Sequence, residues 1–171
     1  MRGLIIIAFL ALTACREEAS VIPGPMPMTK EALGYFCQMN IAEHGGPKGQ
    51  VHLAGQPQPL FFAQARDVVA YLKTPEREAE IIAVYVSDMG AAPSWRHPGD
   101  NNWIVADQAT YVVGAGVAGG MGAPEIVPFG DPRAAQAFIA IYGGTLMSFD
   151  QIPDDAALGP VDLDQILETP A

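Results

Sequence analysis

Residues 62–72 read FAQARDVVAYL, and residues 129–139, which begin 67 positions later, read FGDPRAAQAFI. Both segments start with Phe, carry Arg four residues later and end with Ala, an aromatic and an aliphatic residue, and their apolar side chains recur at helical spacing. At the start of the second segment Asp131 can cap a helix, and Pro132 suits its first turn. Gly143-Gly144, four residues after the segment, suits the end of that helix. The match predicts a duplicated unit with one helix per copy, and a chance similarity is the alternative.

Strand-like runs lie on both sides of each predicted helix. In the first copy residues 34–41 and 50–54 precede the helix, and residues 81–86 follow it. In the second copy the corresponding runs are residues 104–113, residues 118–121 leading to 126–127, and residues 145–149. The sequence therefore predicts an α+β fold of two similar ββαβ units packed together, with small antiparallel or mixed sheets.

Changes in composition mark the ends of these units. Residues 90–102 are rich in Pro and Gly, and the chain after Ile152 is acidic and contains Pro, which predicts a loose tail. The expected segments are a signal peptide at 1–14, a lipid-anchored Pro-rich tether at 15–33, the first unit at 34–90, a linker at 91–102, the second unit at 103–152 and an acidic tail at 153–171.

Length and charge limit the classes of function. The chain has 171 residues, half of them hydrophobic, which suits one compact domain or two small ones. Its formal net charge of −10 argues against a nucleic-acid partner, because Lys and Arg must neutralise the phosphates. The same charge argues against a polybasic patch that docks on an acidic membrane. Two cysteines are too few for a disulfide-dense scaffold.

The first fifteen residues predict export and a lipid anchor. The apolar run at 4–12 is well short of the ~20 residues of a membrane-spanning helix and fits a secretory signal. It ends in Leu12-Thr13-Ala14-Cys15, which resembles a bacterial lipobox, so we expect Cys15 to be lipidated. An ordinary signal peptide is the alternative. Arg16 stands where Asp often signals inner-membrane retention, which favours a periplasmic protein on the outer membrane of a Gram-negative source.

Most catalytic motifs are missing from the sequence. It contains no Gly-x-Ser-x-Gly elbow, no His-Glu-x-x-His pair and no Walker-type phosphate loop. Residues 114–119 spell G-x-G-x-x-G, but no βαβ pattern surrounds them, so a Gly-rich connection is the simpler interpretation. The three histidines are not in metal-pair spacing, and a zinc site would be poorly supplied.

Cys37 and Met39 form the one constellation that suggests chemistry. On a strand, residues i and i+2 project to the same face, so both sulfurs would be able to bind one ion. A thiolate with a thioether is a soft ligand set, which favours Cu(I) over harder divalent ions. The alternative is that both side chains only fill the core. A free thiol in an oxidising compartment favours the metal site, since Cys37 has no partner once Cys15 carries lipid.

A Cu(I) site of this kind needs a third donor. The sequence leaves four candidates open, namely Met121, His44, His52 and Met89. Glycines on both sides of Met121 would let its backbone approach the site closely, and His44 lies in a flexible loop just after the sulfur pair. Met26 and Met28 lie on the predicted tether, where they serve either as spacer or as auxiliary soft ligands.

Several motifs together resemble the NosL family, the lipoprotein accessory factors of nitrous oxide reductase. They occur in the family's order and are the lipobox cysteine, Cys37-Gln-Met39, Trp103 with Ala109-Thr-Tyr-Val112, Met121-Gly122, Pro128-Phe129, Phe138 and Gly143-Gly144. The resemblance covers about residues 34–151. It implies a periplasmic, membrane-tethered Cu(I)-binding protein with two ββαβ halves.

The resemblance also implies a role, partners and ligands. Such a protein would supply copper for the copper-sulfide centre of nitrous oxide reductase through the NosDFY transporter complex, with NosD as the docking partner. Matched motif by motif, the copper ligands would be Cys37, Met39 and Met121, with His44 as a possible additional ligand. The chain would not be an enzyme.

Two other interpretations stay open at this point. One is a structural or interaction lipoprotein of the cell envelope, with Cys37 buried and no metal bound. The other is an enzyme like organomercurial lyase, whose core the NosL fold resembles. That chemistry uses two cysteines and an acid, and here only Cys37 is available beyond the lipid anchor, which argues strongly against it.

Overall fold

The computed structural model describes residues 22–161. The predicted signal peptide, Cys15 and Arg16 lie outside the described residues, as does the part of the acidic tail from residue 162 onwards. Within 22–161, no helix has the length and apolar character needed to cross a membrane.

The first unit is a four-stranded antiparallel sheet with one helix. Its strands lie in the order β2-β1-β3-β4, and the helix α1 connects β2 to β3. The elements are β1 (Gly49–Leu53), β2 (Leu60–Phe62), α1 (Ala65–Lys73), β3 (Ile81–Ser87) and β4 (Trp103–Val105). The pair β1–β3 is in register from Gly49 opposite Val86, with an irregularity between His52 and Leu53.

The second unit repeats this arrangement without the fourth strand. Its elements are β5 (Thr110–Val113), β6 (Val127–Phe129), α2 (Pro132–Tyr142) and β7 (Thr145–Ser148). The strand order β6-β5-β7 corresponds to β2-β1-β3. The separation of 67 positions relates the first residues of β2 and β6 and those of α1 and α2. The predicted α+β class with two ββαβ units is therefore confirmed.

The assignment of the early strands was wrong in detail. Residues 34–41 form no strand, because the Gly34 and Gln38 amides bond to Met39 O and Gly34 O and close a local turn. The true second strand of this unit is β2, a short apolar run that follows Pro59. The predicted strand 104–113 is interrupted by a 3-10 turn at Ala106–Gln108, and residues 118–121 contribute only a single bridge, from Ala118 to Pro124.

The two units share one core. Tyr111 of β5 is fully buried among Val51, Phe62 and Val68 of the first unit, and its hydroxyl donates to Ala106 O at 2.6 Å. A second, smaller cluster lies between α2 and its own sheet, around Val112 and Phe129. β4, which was predicted to begin the second unit, pairs with β3 and extends the first sheet instead.

The described parts of the predicted tether and of the predicted tail both contact the first unit. Pro23 O accepts from the Tyr85 hydroxyl, and Met26 pairs through its amide and carbonyl with the Gln50 side chain. The tail is likewise ordered over Asp154–Leu158, a helix (α3) whose Asp154 pairs with Lys73 at 2.6 Å. The expectation of a loose tail was wrong for this segment because its side chains find partners on α1.

Gly49 sets how closely α1 packs on β1. A methyl group added there would lie 2.1 Å from Val68 Cγ2. We expect Gly49→Ala to lower the free energy of unfolding by about 1–3 kcal/mol through overpacking, measured by urea denaturation. Val68→Ala in the same chain should relieve part of the overpacking. The double variant should therefore lose less free energy of unfolding than the two single variants lose together.

Gly24→Ala is the matched control, because nothing lies within 4 Å of the added methyl. It should leave the unfolding midpoint unchanged. Strictly additive effects of Gly49→Ala and Val68→Ala would contradict the packing argument.

Candidate metal centre

Cys37 lies on the turn that precedes the 3-10 helix Ile41–Glu43. It is a free, half-buried thiol that packs beside Ile41 and Ala63. A methyl group at Gly34 would come within 2.5 Å of the Cys37 sulfur, so this turn leaves room for the thiol only because residue 34 is glycine.

The geometric reason for pairing Cys37 with Met39 was wrong. The two residues do not lie on a strand, and Gln38 between them has a φ of 55°, so alternation of faces does not apply. They are instead two residues of one closed turn, and Met39 is 41% exposed. A flexible exposed thioether beside a half-buried thiol is still a usable soft donor pair.

His44 follows directly after the 3-10 helix and faces the second unit. Its Nδ1 lies 3.0 Å from Gly120 O. Because a carbonyl oxygen only accepts, Nδ1 carries the proton in the neutral ring, and Nε2 keeps its lone pair. Metal-binding histidines commonly have this arrangement, in which the second ring nitrogen donates to a carbonyl or carboxylate. The contact with Gly120 O therefore leaves Nε2 as the His44 nitrogen with a lone pair for a metal.

Met121 lies on the loop between β5 and β6, in a tight turn closed by Gly122 N donating to Gly119 O. Met121 is 38% exposed, and its amide donates to Gln64 Oε1 at 2.9 Å. The neighbouring Gly120 approaches the first unit so closely that a methyl group there would lie 2.6 Å from His44 Cβ. The loop of Met121 is therefore docked on the residues around His44.

Ala63 is the point at which these segments meet. The Cys37 side chain packs in the same apolar cluster as Ala63, and a methyl group at Gly120 would lie 3.3 Å from Ala63 O. The fold thus brings the turn of Cys37 and Met39, the His44 loop and the Met121 loop to one edge of the first unit.

The remaining sulfur and imidazole candidates lie elsewhere. His52 is buried in β1, where its Nε2 lies 2.8 Å from Gln50 Oε1, and burial lowers its pKa. Met89 packs against the cluster of the second unit around Phe129. Met26 is held through its backbone by Gln50, and Met28 is a buried member of the cluster beside Cys37.

Two buried charged residues beneath this edge were not found from the sequence. Lys48 is fully buried, and its Nζ donates to Gly45 O and Ala63 O. Burial lowers its pKa to about 8, although Glu125 and Cys37 attract the ammonium. Burial also raises the pKa of Glu125 to about 8; its Oε1 accepts from the amides of Arg66 and Ile126.

No group of three or more His, Cys, Asp or Glu side chains suited to a metal ion occurs among residues 22–161. A metal at this edge would therefore depend on methionine sulfur in addition to Cys37 and His44. Such a donor set favours a soft monovalent ion over Zn²⁺, Ca²⁺ or Mg²⁺.

The sequence profile of the NosL family matches residues 25–157. The copper-binding lipoprotein NosL of Achromobacter cycloclastes is 49% identical over 164 residues, covering 95% of this chain and 85% of that protein. The protein of the same name from Stutzerimonas stutzeri is 32% identical over 157 residues, covering 90% and 79%.

Two solved structures have the same fold. The crystal structure of the copper chaperone NosL from Shewanella denitrificans superposes with a TM-score of 0.70 at 34% identity, over 75% of this chain and 95% of that one. The solution structure of apo-NosL from Achromobacter cycloclastes gives a TM-score of 0.50 at 50% identity, over 67% and 91%. Because the family profile matches residues 25–157 and the two relatives are 49% and 32% identical over most of its length, the chain belongs to the NosL family.

Proposed function

We propose that this protein is a Cu(I) carrier whose site is formed by Cys37, His44 and Met121, with Met39 as a further soft donor. The observation that carries the proposal is the docking of the Met121 loop on the His44 loop beside the turn of Cys37. This docking supports a site in which the thiol of Cys37, the Nε2 of His44 and the thioethers of Met39 and Met121 act together.

The exposure of the two methionines supports a carrier over a storage site. Cu(I) accepts two or three soft ligands, and an acceptor protein can displace exposed, flexible thioethers one at a time. Burial of Cys37 on one side limits access to the thiolate from solvent. The site is thus half enclosed and half open, which suits transfer by ligand exchange.

The destination that we propose is the copper-sulfide centre of nitrous oxide reductase, reached through NosD of the NosDFY complex. Membership of the NosL family supports this role, and the relatives' names as copper-binding lipoproteins support an anchored protein. The lipid anchor that we propose at Cys15 would hold it in the periplasm, on the outer membrane. It would act there by binding and release, without catalysis.

The test is an anaerobic competition titration of residues 19–171 with a colorimetric Cu(I) chelator. One equivalent of Cu(I) should be held tightly per chain. Met121→Ala should lower the affinity by roughly tenfold or more, because one of the four proposed donors is lost. Met89→Ala is the control, since Met89 packs in the second unit, and it should leave the affinity within about twofold. Equal losses for both variants would argue against Met121 as a ligand.

A lipoprotein that binds no metal is the second candidate, and the packing of Cys37 beside Ile41 and Ala63 favours it. It predicts a thiol that resists alkylation in the native state. Alkylation of the apo protein that Cu(I) blocks would support the carrier. A parent chain that gives up all its copper to a weak chelator would support the alternative.

A further inference from the structure

Gln64 occupies the N-cap position of α1, although Gln is a poor capping residue. Its side chain makes no cap bond to its own helix. At the equivalent position of the second unit, Asp131 caps α2 by accepting from Arg133 N at 2.9 Å. The two copies therefore use this position differently.

The cap that α1 lacks is supplied by the other unit. Arg66 N, which corresponds to Arg133 N, donates to Glu125 Oε1 at 2.9 Å. Glu125 lies at the end of the loop that carries Met121 and is 1% exposed. Since Glu125 accepts the bond from the Arg66 amide, the Gln64 side chain is available for another contact.

The Gln64 side chain instead binds the backbone of Met121. Its Oε1 accepts from Met121 N at 2.9 Å, and its Nε2 donates to Asp67 Oδ1 at 3.2 Å. The Asp67 contact fixes the orientation of the amide, so that the oxygen faces the Met121 amide. Gln64 is only 2% exposed, and water is therefore a poor substitute for it.

We infer that Gln64 is a positioning residue that fixes the Met121 loop for metal binding, an inference that rests on the proposed Cu(I) site. Together with the His44 bond to Gly120 O, it clamps the Gly119–Gly122 turn from two sides. The exposed thioether of Met121 then starts from a restricted set of positions, and less conformational entropy is lost when it binds copper.

The test is a double-variant cycle in Cu(I) affinity. Gln64→Ala should lower the affinity between about threefold and tenfold, as the loss of one buried hydrogen bond implies. In the Met121→Ala background the same change should have less than a twofold effect, because there is no thioether left to position. X-ray absorption of the Cu(I) complex should show one sulfur fewer in Gln64→Ala, or a longer and more disordered one.

Gln50→Ala is the matched control, since Gln50 is a fully buried glutamine that holds the backbone of Met26. It should lower the thermal midpoint as Gln64→Ala does and leave Cu(I) affinity and sulfur coordination unchanged. Equal losses of affinity for Gln64→Ala with and without Met121 would overturn the inference and leave the Cu(I) carrier standing. A parent chain with no tight Cu(I) binding would overturn both.

Discussion

Cys37→Ser is expected to lower the affinity for Cu(I) at least about a hundredfold, the largest effect on binding of any single substitution. The thiolate is the only anionic donor among the four proposed ligands, and a serine hydroxyl is a hard, neutral donor that Cu(I) binds poorly. The loss should appear in chelator competition as copper that the variant surrenders at chelator concentrations at which the parent keeps it.

The fold should survive this change. Cys37 lies on a turn held by backbone hydrogen bonds, and serine has nearly the same volume. The thermal midpoint of the apo variant should therefore stay within a few degrees of the parent's. Tight Cu(I) binding by Cys37→Ser would refute a site centred on this thiol. If Cys37→Ser does not fold, Cys37→Ala takes its place in the same titration.

Glu125→Gln is expected to change the pH dependence of stability more than any other substitution. Burial raises the pKa of Glu125 from 4.5 to about 8. Between those values the folded state holds a proton that the unfolded chain has released. The free energy of unfolding therefore falls as pH rises through this window. Glutamine keeps the acceptor for the Arg66 and Ile126 amides and removes the titration.

Between pH 5 and pH 8 the parent should lose on the order of 2–4 kcal/mol more than Glu125→Gln, measured by urea denaturation of the apo proteins. His52 titrates in both proteins, so its contribution cancels in the difference. Asp67 and Lys48 interact electrostatically with Glu125, so the difference includes their response to the substitution. Glu125→Ala should lose about 2–4 kcal/mol already at pH 5, because two buried amides lose their acceptor. If Glu125→Gln had a lower free energy of unfolding than the parent by the same amount at every pH, the parent would instead hold Glu125 as a carboxylate paired with the Lys48 ammonium.

The repeat, the helices α1 and α2 and the strands β1, β3 and β7 were predictable from the sequence. The helix α3 and the strand β2 were not predicted, and β6 was located only in part. Helix signals such as Asp131-Pro132 and Gly143-Gly144 are local, and the separation of 67 positions locates α1 from α2. β2 and β6 have only three residues each, and their pairing depends on distant partners in β1 and β5. A three-residue run carries too little periodicity to distinguish it from a loop.

For the proposed site, the ligand chemistry was inferred from residue types alone, and the local geometry expected for Cys37 and Met39 was wrong. A thiol, thioethers and a histidine indicate a soft metal wherever they lie. The assembly that we propose would depend on the docking of the Met121 loop on His44 and on its bond to Gln64, which are long-range contacts. One local signal was present, since Gln64 stands where its copy Asp131 is a good cap. A poor capping residue in one copy, at a position where the other copy has a good cap, indicates that its side chain has another role.

The backbone bonds of Pro23 and Met26 to the first sheet would also limit where the proposed carrier can deliver copper. With the lipid that we propose on Cys15, only eight positions separate the membrane surface from the first docked residue, Pro23. A fully extended chain of that length spans at most about 28 Å, at roughly 3.5 Å per residue. The proposed carrier would therefore stay within a thin layer along the bilayer, and it would meet only those acceptor proteins that reach into this layer.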